Sequence, residues 1–441
     1  VVLALLYFFF RFTRIGLAMR AAAVNPESAR LVGIRVSWMT ALGWGMASAI
    51  GAVAGMMIAP VVFLEPNMMV SILLYGFAGA VLGGLTSPVG AVVGGLAVGV
   101  IARDENPAIS EPPADRAGIR FGALGWTGLA VVVVLAALPL FLANFTIFQL
   151  TMMLIYAIAI LGLNLLTGIN GQFSLGHGAF YAIGAYTAAI LMENFGLAYG
   201  WTLPAAGLIC FVSGFLFGLP ALRLEGIYLA LATFGLAVAM PQFLKLSVLE
   251  PWTGGVQGIV ITKPDAPFGL PLSQDQWLYY FTLVVALLLY WFAANLVASR
   301  SGRALMAIRD NPLAARAMGV NNALYKSLAF GISAAFTGIA GALGAIVVQF
   351  VAPDSFTFAL SVALFVGLVV GGVGWLPGAL VGGAFIVFIP NVAELFNKAL
   401  AGAVYGVILI LLIYLMPTGA GGLVRKVADF VGRRMKPRPD R

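Results

Sequence analysis

The chain has 441 residues, of which 62% are hydrophobic and only 9% are charged, and its formal net charge is +8. Because soluble domains carry roughly 25% charged residues, this composition excludes a soluble fold. Apolar stretches of about 20 residues indicate membrane-spanning helices. These stretches are continuous rather than alternating, which argues against an outer-membrane barrel. The sequence therefore predicts an all-α, polytopic helical membrane protein.

The basic residues cluster in three segments, as the positive-inside rule expects of loops that face the cytoplasm. Residues 11–35 hold five Arg, residues 300–326 hold five basic side chains, and residues 425–441 hold seven. Residues 245–276 instead carry two Lys and three acidic side chains. We expect the first three segments in the cytoplasm and the fourth outside. The positive charge is thus explained by membrane lipid, with the tail at anionic headgroups, and no nucleic-acid partner is expected.

In chain order, apolar segments predict spans or half-spans at residues 1–10, 39–62, 68–85, 89–101, 124–142, 147–166, 182–192, 203–219, 227–244, 278–297, 328–351, 358–370, 376–389 and 403–415. Several of these are short and interrupted by Gly or Pro, so we expect broken or re-entrant helices that meet inside the protein. Residues 103–122 are polar and contain three Pro, which predicts a linker between two domains.

One polar passage occurs twice with a constant spacing. The first copy carries Arg14, Asn25, Pro26, Arg30 and Gly33, and the second carries Arg300, Arg303, Arg309, Asp310, Asn311, Pro312, Arg316 and Gly319. The differences 300 − 14, 311 − 25 and 319 − 33 all equal 286. We call residues 14–34 the first repeat loop and residues 300–320 the second repeat loop. Internal repeats in an apolar chain are typical of transporters built from related halves.

Each repeat loop has the pattern of a short helix. Asn before Pro predicts an N-cap followed by the first helical residue, and Gly predicts the helix end. A surface helix of this kind could pass motion from a soluble partner to the spans. An ordinary positively charged loop would explain a single copy, but two copies with the same spacing favour the docking role.

The spans contain little that could power transport. No Asp, Glu, Lys or Arg occurs in residues 121–192, 277–299 or 355–392. Ion-coupled carriers generally need an ionisable group within the membrane. The chain also lacks the Gly-x-x-x-x-Gly-Lys-Ser/Thr sequence of a nucleotide-binding loop. We therefore expect energy to enter from another polypeptide, through the repeat loops.

A second polar segment interrupts the apolar spans of the later domain. Its candidate functional residues are Asn164, Asn170, Gln172, Ser174, His177 and Tyr181. Polar side chains in such surroundings are costly unless they meet each other, water or a solute. Two readings remain open here: hydrogen bonds between helices, or the wall of a translocation path. The density of Gly predicts an irregular turn and favours the path. No metal site is expected, because the chain has a single His.

Several motifs in this domain resemble a known family. Gly171-Gln-Phe-Ser-Leu-Gly-His177, Gly184-Ala-Tyr-Thr-Ala188, Leu222-Arg-Leu-Glu-Gly-Ile-Tyr228 and Ala307-Ile-Arg-Asp-Asn-Pro312 resemble the LivM-type permease of bacterial ABC importers for branched-chain amino acids. The resemblance covers roughly residues 124–424. Residues 1–101 resemble the C-terminal part of the sister LivH-type permease. The expected domains are a truncated LivH-type domain (1–102), the linker (103–122), a LivM-type domain (123–424) and a basic cytoplasmic tail (425–441).

The resemblance implies a transport subunit rather than an enzyme, in the inner (cytoplasmic) membrane of a bacterium. The implied cargo is branched-chain amino acids or related small polar metabolites, such as urea or amides. Implied partners are two cytoplasmic ABC ATPase subunits, a periplasmic solute-binding protein and, as a further candidate, a complete LivH-type permease. No cofactor is expected on this chain, with ATP-Mg held by the ATPases. The alternatives are an ion-coupled secondary carrier or channel, and an inert truncated fusion.

Overall fold

The computed structural model describes residues 8–24, 26–62, 132–221, 227–267, 271–396, 405–409, 411 and 419–422. The chain divides into two compact units, Val1–Pro107 and Ala108–Arg441. Several predicted features lie outside the described residues: Asn25, the spans at 68–85 and 89–101, the linker at 103–122, most of 403–415 and the tail at 425–441. The assignment of domains stays a prediction.

The described part of the first unit is a pair of short helices followed by a long one. Helix α1 spans Arg14–Val24, α2 spans Pro26–Leu31 and α3 spans Val36–Val62. The apolar window Val36–Val53 within α3 is long enough to cross a membrane, yet none of its residues is buried. The predicted span at 39–62 is therefore confirmed, with a start three residues earlier.

The second unit is a helical bundle with one small β-ribbon. Its elements are α4 (Asn144–Asn164), which continues as a π-helical turn at Leu165–Ile169, α5 (His177–Glu193), α6 (Tyr199–Ala221), α7 (Ile227–Leu244), α8 (Glu250–Thr253), β1 (Ile259–Val260), α9 (Gln274–Ala298), α10 (Arg300–Asp310), α11 (Pro312–Ala317), α12 (Asn322–Val348), β2 (Phe350–Val351), α13 (Phe358–Gly371) and α14 (Gly378–Phe396). Short 3-10 turns occur at Leu138–Leu140 and Pro353–Phe356. Over the described residues, six helices are long and apolar enough to cross a membrane.

Helix α12 lies at the centre of the bundle. Small residues let α4, α5 and α6 approach it closely. A Cβ on Gly184 of α5 would overlap the carbonyl oxygen of Gly338, and a Cβ on Gly338 would overlap the Cys210 sulfur of α6. On α4, a Cβ on Gly162 would lie 2.7 Å from the Cβ of Phe336. Close approach through Gly and Ala is the usual way in which helices pack within a membrane.

The second repeat loop and the β-ribbon lie at opposite ends of two long helices. Helix α9 ends at Ala298, directly before the loop, and α12 begins at Asn322, directly after it. The ribbon pairs Ile259 with Val351 at the other end of these helices. At 1.5 Å per residue, α9 and α12 are roughly 37 and 40 Å long, enough to cross the hydrocarbon core of about 30 Å. The two loops therefore lie at opposite ends of the bundle, and which end faces the cytoplasm stays a prediction.

Some predicted boundaries are wrong. The span predicted at 328–351 runs over the end of α12, because Gln349 takes a left-handed conformation with φ of 65° and the chain then enters β2. The irregular turn is shorter than the Gly density suggests: α5 already begins at His177, so His177 and Tyr181 are helical. The helices α1 and α10 were not predicted at all. Their signal is a hydroxyl side chain three residues before a Gly.

Candidate coupling and translocation site

The two repeat loops have the same secondary structure at the same spacing. Adding 286 to the bounds of α1, α2 and α3 gives the bounds of α10, α11 and α12: 14 and 24 become 300 and 310, 26 and 31 become 312 and 317, and 36 and 62 become 322 and 348. The duplication seen in the sequence is therefore a structural repeat of three helices. Each unit carries one copy.

The ends of the repeated helices are held by the same contacts. The amide of Gly16 donates to the Thr13 hydroxyl at 3.0 Å, and in the second copy the amide of Gly302 donates to the Ser299 hydroxyl at 3.3 Å. Gly33 and Gly319 both have a φ of 83°. This left-handed conformation costs Gly little, and it ends the short helix as predicted.

Asn311 is the N-cap of α11. Its side-chain oxygen accepts the amides of Leu313 at 3.1 Å and Ala314 at 3.0 Å, and Pro312 is the first helical residue. The predicted helix start is thus confirmed for the second repeat loop. In the first repeat loop α2 likewise begins at Pro26.

Most of the candidate charged residues of the repeat loops are exposed to solvent. The exposed set is Arg14, Arg30, Arg300, Arg303, Asp310 and Arg316. Arg309 differs, because its side chain turns inward and donates from Nη1 to the carbonyl oxygen of Gly168 at 2.9 Å. The structure therefore connects the second repeat loop to the polar segment, two sites that the sequence presented as separate.

The polar segment is a break between α4 and α5. Helix α4 widens into the π-helical turn Leu165–Ile169, and residues 170–176 are irregular before α5 begins. The amide of Gln172 donates to the carbonyl of Leu166 at 3.1 Å, and the Thr167 hydroxyl donates to the carbonyl of Gln172 at 3.0 Å. π-helical turns occur frequently at functional sites. The predicted irregular turn is confirmed over these residues.

His177 sits in a chain of hydrogen bonds that crosses the bundle. Its Nε2 lies 2.7 Å from the Ser333 hydroxyl of α12, and that hydroxyl donates to the carbonyl of Gly162 on α4 at 2.6 Å. Its Nδ1 lies 3.0 Å from the Ser174 hydroxyl. Because Ser333 donates its single proton to Gly162, Nε2 must donate to Ser333 and Nδ1 must accept from Ser174. A neutral imidazole with its proton on Nε2 therefore satisfies each donor and acceptor in this series of hydrogen bonds.

The position of His177 shows where the break lies. Ser333 is eleven residues into α12, or roughly 16 Å from the start of that helix at 1.5 Å per residue. His177 therefore lies near the middle of the bundle, and α5 is a half-helix that starts there. The break thus occupies the half of the bundle that ends at the second repeat loop.

Asn164 fastens the break to the connection between α13 and α14. Its Oδ1 accepts the amide of Gly374 at 2.8 Å, and its Nδ2 donates to the carbonyl of Trp375 at 3.0 Å. A Cβ on Gly168 would overlap the Asn164 oxygen and lie 2.5 Å from the Gly374 amide nitrogen. Asn164 thus pairs the Gly374 amide inside the bundle and adds a second hydrogen bond to the Trp375 carbonyl, which also accepts the amide of Gly378 at 3.1 Å.

The remaining candidate path residues are also buried. Asn170 donates from Nδ2 to Gln172 Oε1 at 2.8 Å, while within the described structure Asn170 Oδ1 has no hydrogen-bond partner. Tyr181 stacks on Tyr156 with ring centroids 6.4 Å apart. All six candidates thus lie in one region. Most of their hydrogen bonds are made to other residues of the protein, such as Ser333, Gly374 and Trp375. Their role in a translocation path stays a prediction.

Sequence reasoning missed the partners of these residues. Thr233 of α7 accepts the amide of Leu175 at 2.9 Å, and Ser361 of α13 accepts the amide of Gly178 at 2.9 Å. Isolated Ser and Thr in apolar helices carry no motif, so only the packing reveals them. Among the described residues, no three His, Cys, Asp or Glu side chains lie together as metal ligands would.

With this geometry established, the comparisons assign the family. The sequence profile of the family described as "Branched-chain amino acid transport system / permease component" matches residues 1–121 and 145–413. The chain belongs to this permease family. The resemblance to it is therefore confirmed, and with it the all-helical, multi-pass membrane architecture. No solved structure matches the chain.

Relatives in the family cover different parts of it. The branched-chain amino acid transport permease LivM of Escherichia coli (strain K12) is 37% identical over 269 residues, which are 56% of this chain and 63% of LivM. LivH of the same organism is 27% identical over 294 residues, which are 60% of this chain and 91% of LivH. The autoinducer 2 import system permease LsrC of Salmonella paratyphi B is 28% identical over 227 residues, 46% of this chain and 61% of LsrC. The chain thus spans less than two thirds of LivM.

Proposed function

We propose that this chain is a membrane-spanning permease component of an ATP-driven importer in the bacterial inner membrane. Its cargo would be branched-chain amino acids or related small polar metabolites such as urea or amides. Separate ATPase subunits supply the energy, and a periplasmic solute-binding protein delivers the cargo. ATP-Mg is bound by the ATPases and not by this chain.

The observation that carries the proposal is the repeated three-helix structure. The helix pair α1–α2 recurs as α10–α11, 286 residues later, and both pairs carry exposed Arg side chains. In each copy the pair leads directly into a long apolar helix, α3 or α12. A partner that pushes on either pair would therefore move a long helix. Two similar surfaces suit two similar partners, which favours a pair of ATPase subunits.

The external end of the second unit suits a different partner. Lys245 forms an ion pair with Asp354 at 2.6 Å, and Lys263 forms one with Asp275 at 2.5 Å. Both pairs tie the loops around the β-ribbon to neighbouring helices. This ordered end of the bundle is where we expect the solute-binding protein to dock.

Reconstitution in proteoliposomes tests the proposal. The full chain is combined with the ATPase subunits, any partner permease and the binding protein, and uptake of labelled leucine is measured. We expect uptake to require ATP-Mg and to survive ionophores that abolish ion gradients. Uptake driven by an ion gradient without ATPases would instead support a secondary carrier. Complete inactivity, in an assembly whose partners all bind, would support the inert fusion.

Charge reversal in the second repeat loop tests the docking surface. Arg316 is exposed and lies on α11, so Arg316→Glu is expected to weaken ATPase binding about tenfold, the effect of losing one charged contact. Pull-down of the ATPases with the purified permease measures this. Arg30→Glu is the equivalent change in the first copy. If neither single variant binds the ATPases more weakly than the wild type, the docking role is contradicted.

A further inference from the structure

Arg309 is the residue through which the second repeat loop contacts the polar break. It lies in the last turn of α10, and its side chain is only 27% exposed. Its Nη1 donates to the carbonyl of Gly168, within the π-helical turn, at 2.9 Å. A hydrogen bond from a charged guanidinium is stronger than one between neutral groups. The bond therefore links two elements that are 141 residues apart in the chain.

The guanidinium is held in place on its other side. Asp310 Oδ1 accepts from Arg309 Nε at 3.1 Å and from Nη2 at 3.0 Å. The aliphatic part of the side chain lies against Gly171, where a Cβ would be 2.6 Å from Arg309 Cγ. Gly171 also has a φ of 74°, which disfavours any other residue. Arg309 is thus both bonded to the break and packed against it.

Gly168 is packed tightly enough that a displacement of it would be passed on to its neighbours. A Cβ on it would collide with Asn164 and with Gly374, so the turn is packed tightly against the connection between α13 and α14. Two residues before Gly168, the carbonyl of Leu166 holds the amide of Gln172. A displacement of Gly168 must therefore move residues 170–176 or the connection at 372–375. Tightly packed interiors transmit such shifts rather than absorb them.

The first repeat loop lacks this arrangement. Subtracting 286 from 309 and 310 gives Ala23 and Val24, which provide neither a guanidinium nor a carboxylate. Ala23 is exposed. Since the two loops share their helices and their caps, the inward Arg–Asp pair is an addition to a common structure rather than part of it.

We infer that Arg309 is a positioning residue that transmits movement of α10 to the π-helical turn and the polar break. The inference rests on the proposed function, because the force on α10 comes from the ATPases. Only the second copy of the repeat transmits in this way, so the two ATPase contacts act on the permease unequally. Asp310 fixes the orientation of the guanidinium, so that a movement of α10 displaces Gly168 instead of rotating the Arg309 side chain.

Hydrogen–deuterium exchange of the full assembly tests this. In the wild type, adding the ATPases with ATP is expected to change exchange both in residues 299–320 and in residues 165–178. In Arg309→Ala the response of 299–320 stays, whereas that of 165–178 is lost. Uptake per ATP hydrolysed is expected to fall about tenfold, as for one lost charged hydrogen bond. Arg309→Lys keeps the positive charge but not the planar guanidinium that bonds Gly168 and Asp310 together, so it should retain an intermediate response.

Arg316→Ala is the matched comparison. Arg316 is exposed on the neighbouring helix α11, so its loss weakens docking and reduces the responses of 299–320 and 165–178 in parallel. Only Arg309→Ala should separate them. A wild-type response of 165–178 that persists in a folded Arg309→Ala protein overturns the inference. If 299–320 does not respond even in the wild type, the proposed function itself fails.

Discussion

The two copies of the three-helix repeat share a backbone but not an environment. Trp44 of α3 is 74% exposed, whereas Phe330, at the equivalent position of α12 (44 + 286), is fully buried. None of the window Val36–Val53 is buried, while 78% of the corresponding 18-residue apolar window within α12 is. Among the described residues, the same local helices are thus exposed in one unit and buried at the core of a bundle in the other. Local sequence sets the helices, and neighbouring elements set their burial.

An open groove marks the difference. In the first unit a groove of about 390 Å³ between α1 and α3 is lined by Met19, Ala22, Ala23, Met39, Thr40, Gly43, Trp44 and Ala47. In the second unit the positions equivalent to Ala23 and Ala47 are Arg309 and Ser333. These two side chains bond to the carbonyls of Gly168 and Gly162. The end of α4 and its π-helical turn therefore occupy the corresponding surface.

The largest expected effect comes from adding one methyl group to α12. Gly338→Ala places a Cβ 2.6 Å from the Cys210 Cβ and 3.2 Å from the Ala206 carbonyl oxygen, so α6 must move away. We expect a loss of about 3 kcal/mol of stability, as for an overpacked core. The equivalent position of α3 is already Ala52, which is exposed. Thermal unfolding in detergent measures the change.

Gly51→Ala is the control for that substitution. Within the described residues, no atom from outside its own helix turn lies within 4 Å of the position of its Cβ, so this variant should unfold at or slightly above the wild-type temperature, since Ala favours helix. Equal destabilisation by Gly338→Ala and Gly51→Ala would mean that α12 is no more tightly packed than α3.

Loss of the Asn164 side chain should be the next largest effect. Within the described structure, Asn164→Ala leaves the amide of Gly374 without a partner and the carbonyl of Trp375 with only the hydrogen bond from Gly378, at a cost of about 2 kcal/mol. Asn391→Ala is the matched control, because exposed Asn391 donates to Val387 within its own helix and its loss should cost under about 0.5 kcal/mol. If both variants unfold at the same temperature, the connection to residues 372–375 contributes no stability.

The glycines at the ends of α2 and α11 should respond equally. Gly33 and Gly319 have the same φ of 83°, and no atom lies within 4 Å of either Cβ position. Each Gly→Ala change should therefore cost about 1 kcal/mol for conformational reasons alone. Hydrogen exchange of the amides of Ile34 and Val320 measures it. Clearly unequal acceleration would show that tertiary surroundings affect even these loop ends.

The hydroxyl caps should show the smallest effect. Ser299→Ala and Thr13→Ala each remove one acceptor from the first turn of α10 or α1, at a cost of about 0.5 to 1 kcal/mol. Exchange of the amides of Gly16 and Gly302 should accelerate in the respective variants. Unchanged exchange at both positions would contradict the shared capping geometry.

Several features of the site were predictable and others were not. The Asn-Pro pair at 311–312 and the terminal glycines predicted α11 correctly, because caps and turns depend on neighbouring residues. The polar break was predicted from its Gly, Asn and Gln, although its extent was not. The inward turn of Arg309 could not be predicted, because its partner Gly168 is distant in the chain.

The sequence by itself determined the membrane-spanning helical class, the duplication at an offset of 286 and the short helices α2 and α11 that follow Asn-Pro in each repeat loop. These depend on composition and on contacts between near neighbours, which the order of residues states directly. Only the tertiary structure decided that Ser333, Ser361 and Thr233 hold the break, and that Arg309 reaches it. Such contacts join residues far apart in the chain, and they arise from the close packing of helices that no local pattern encodes.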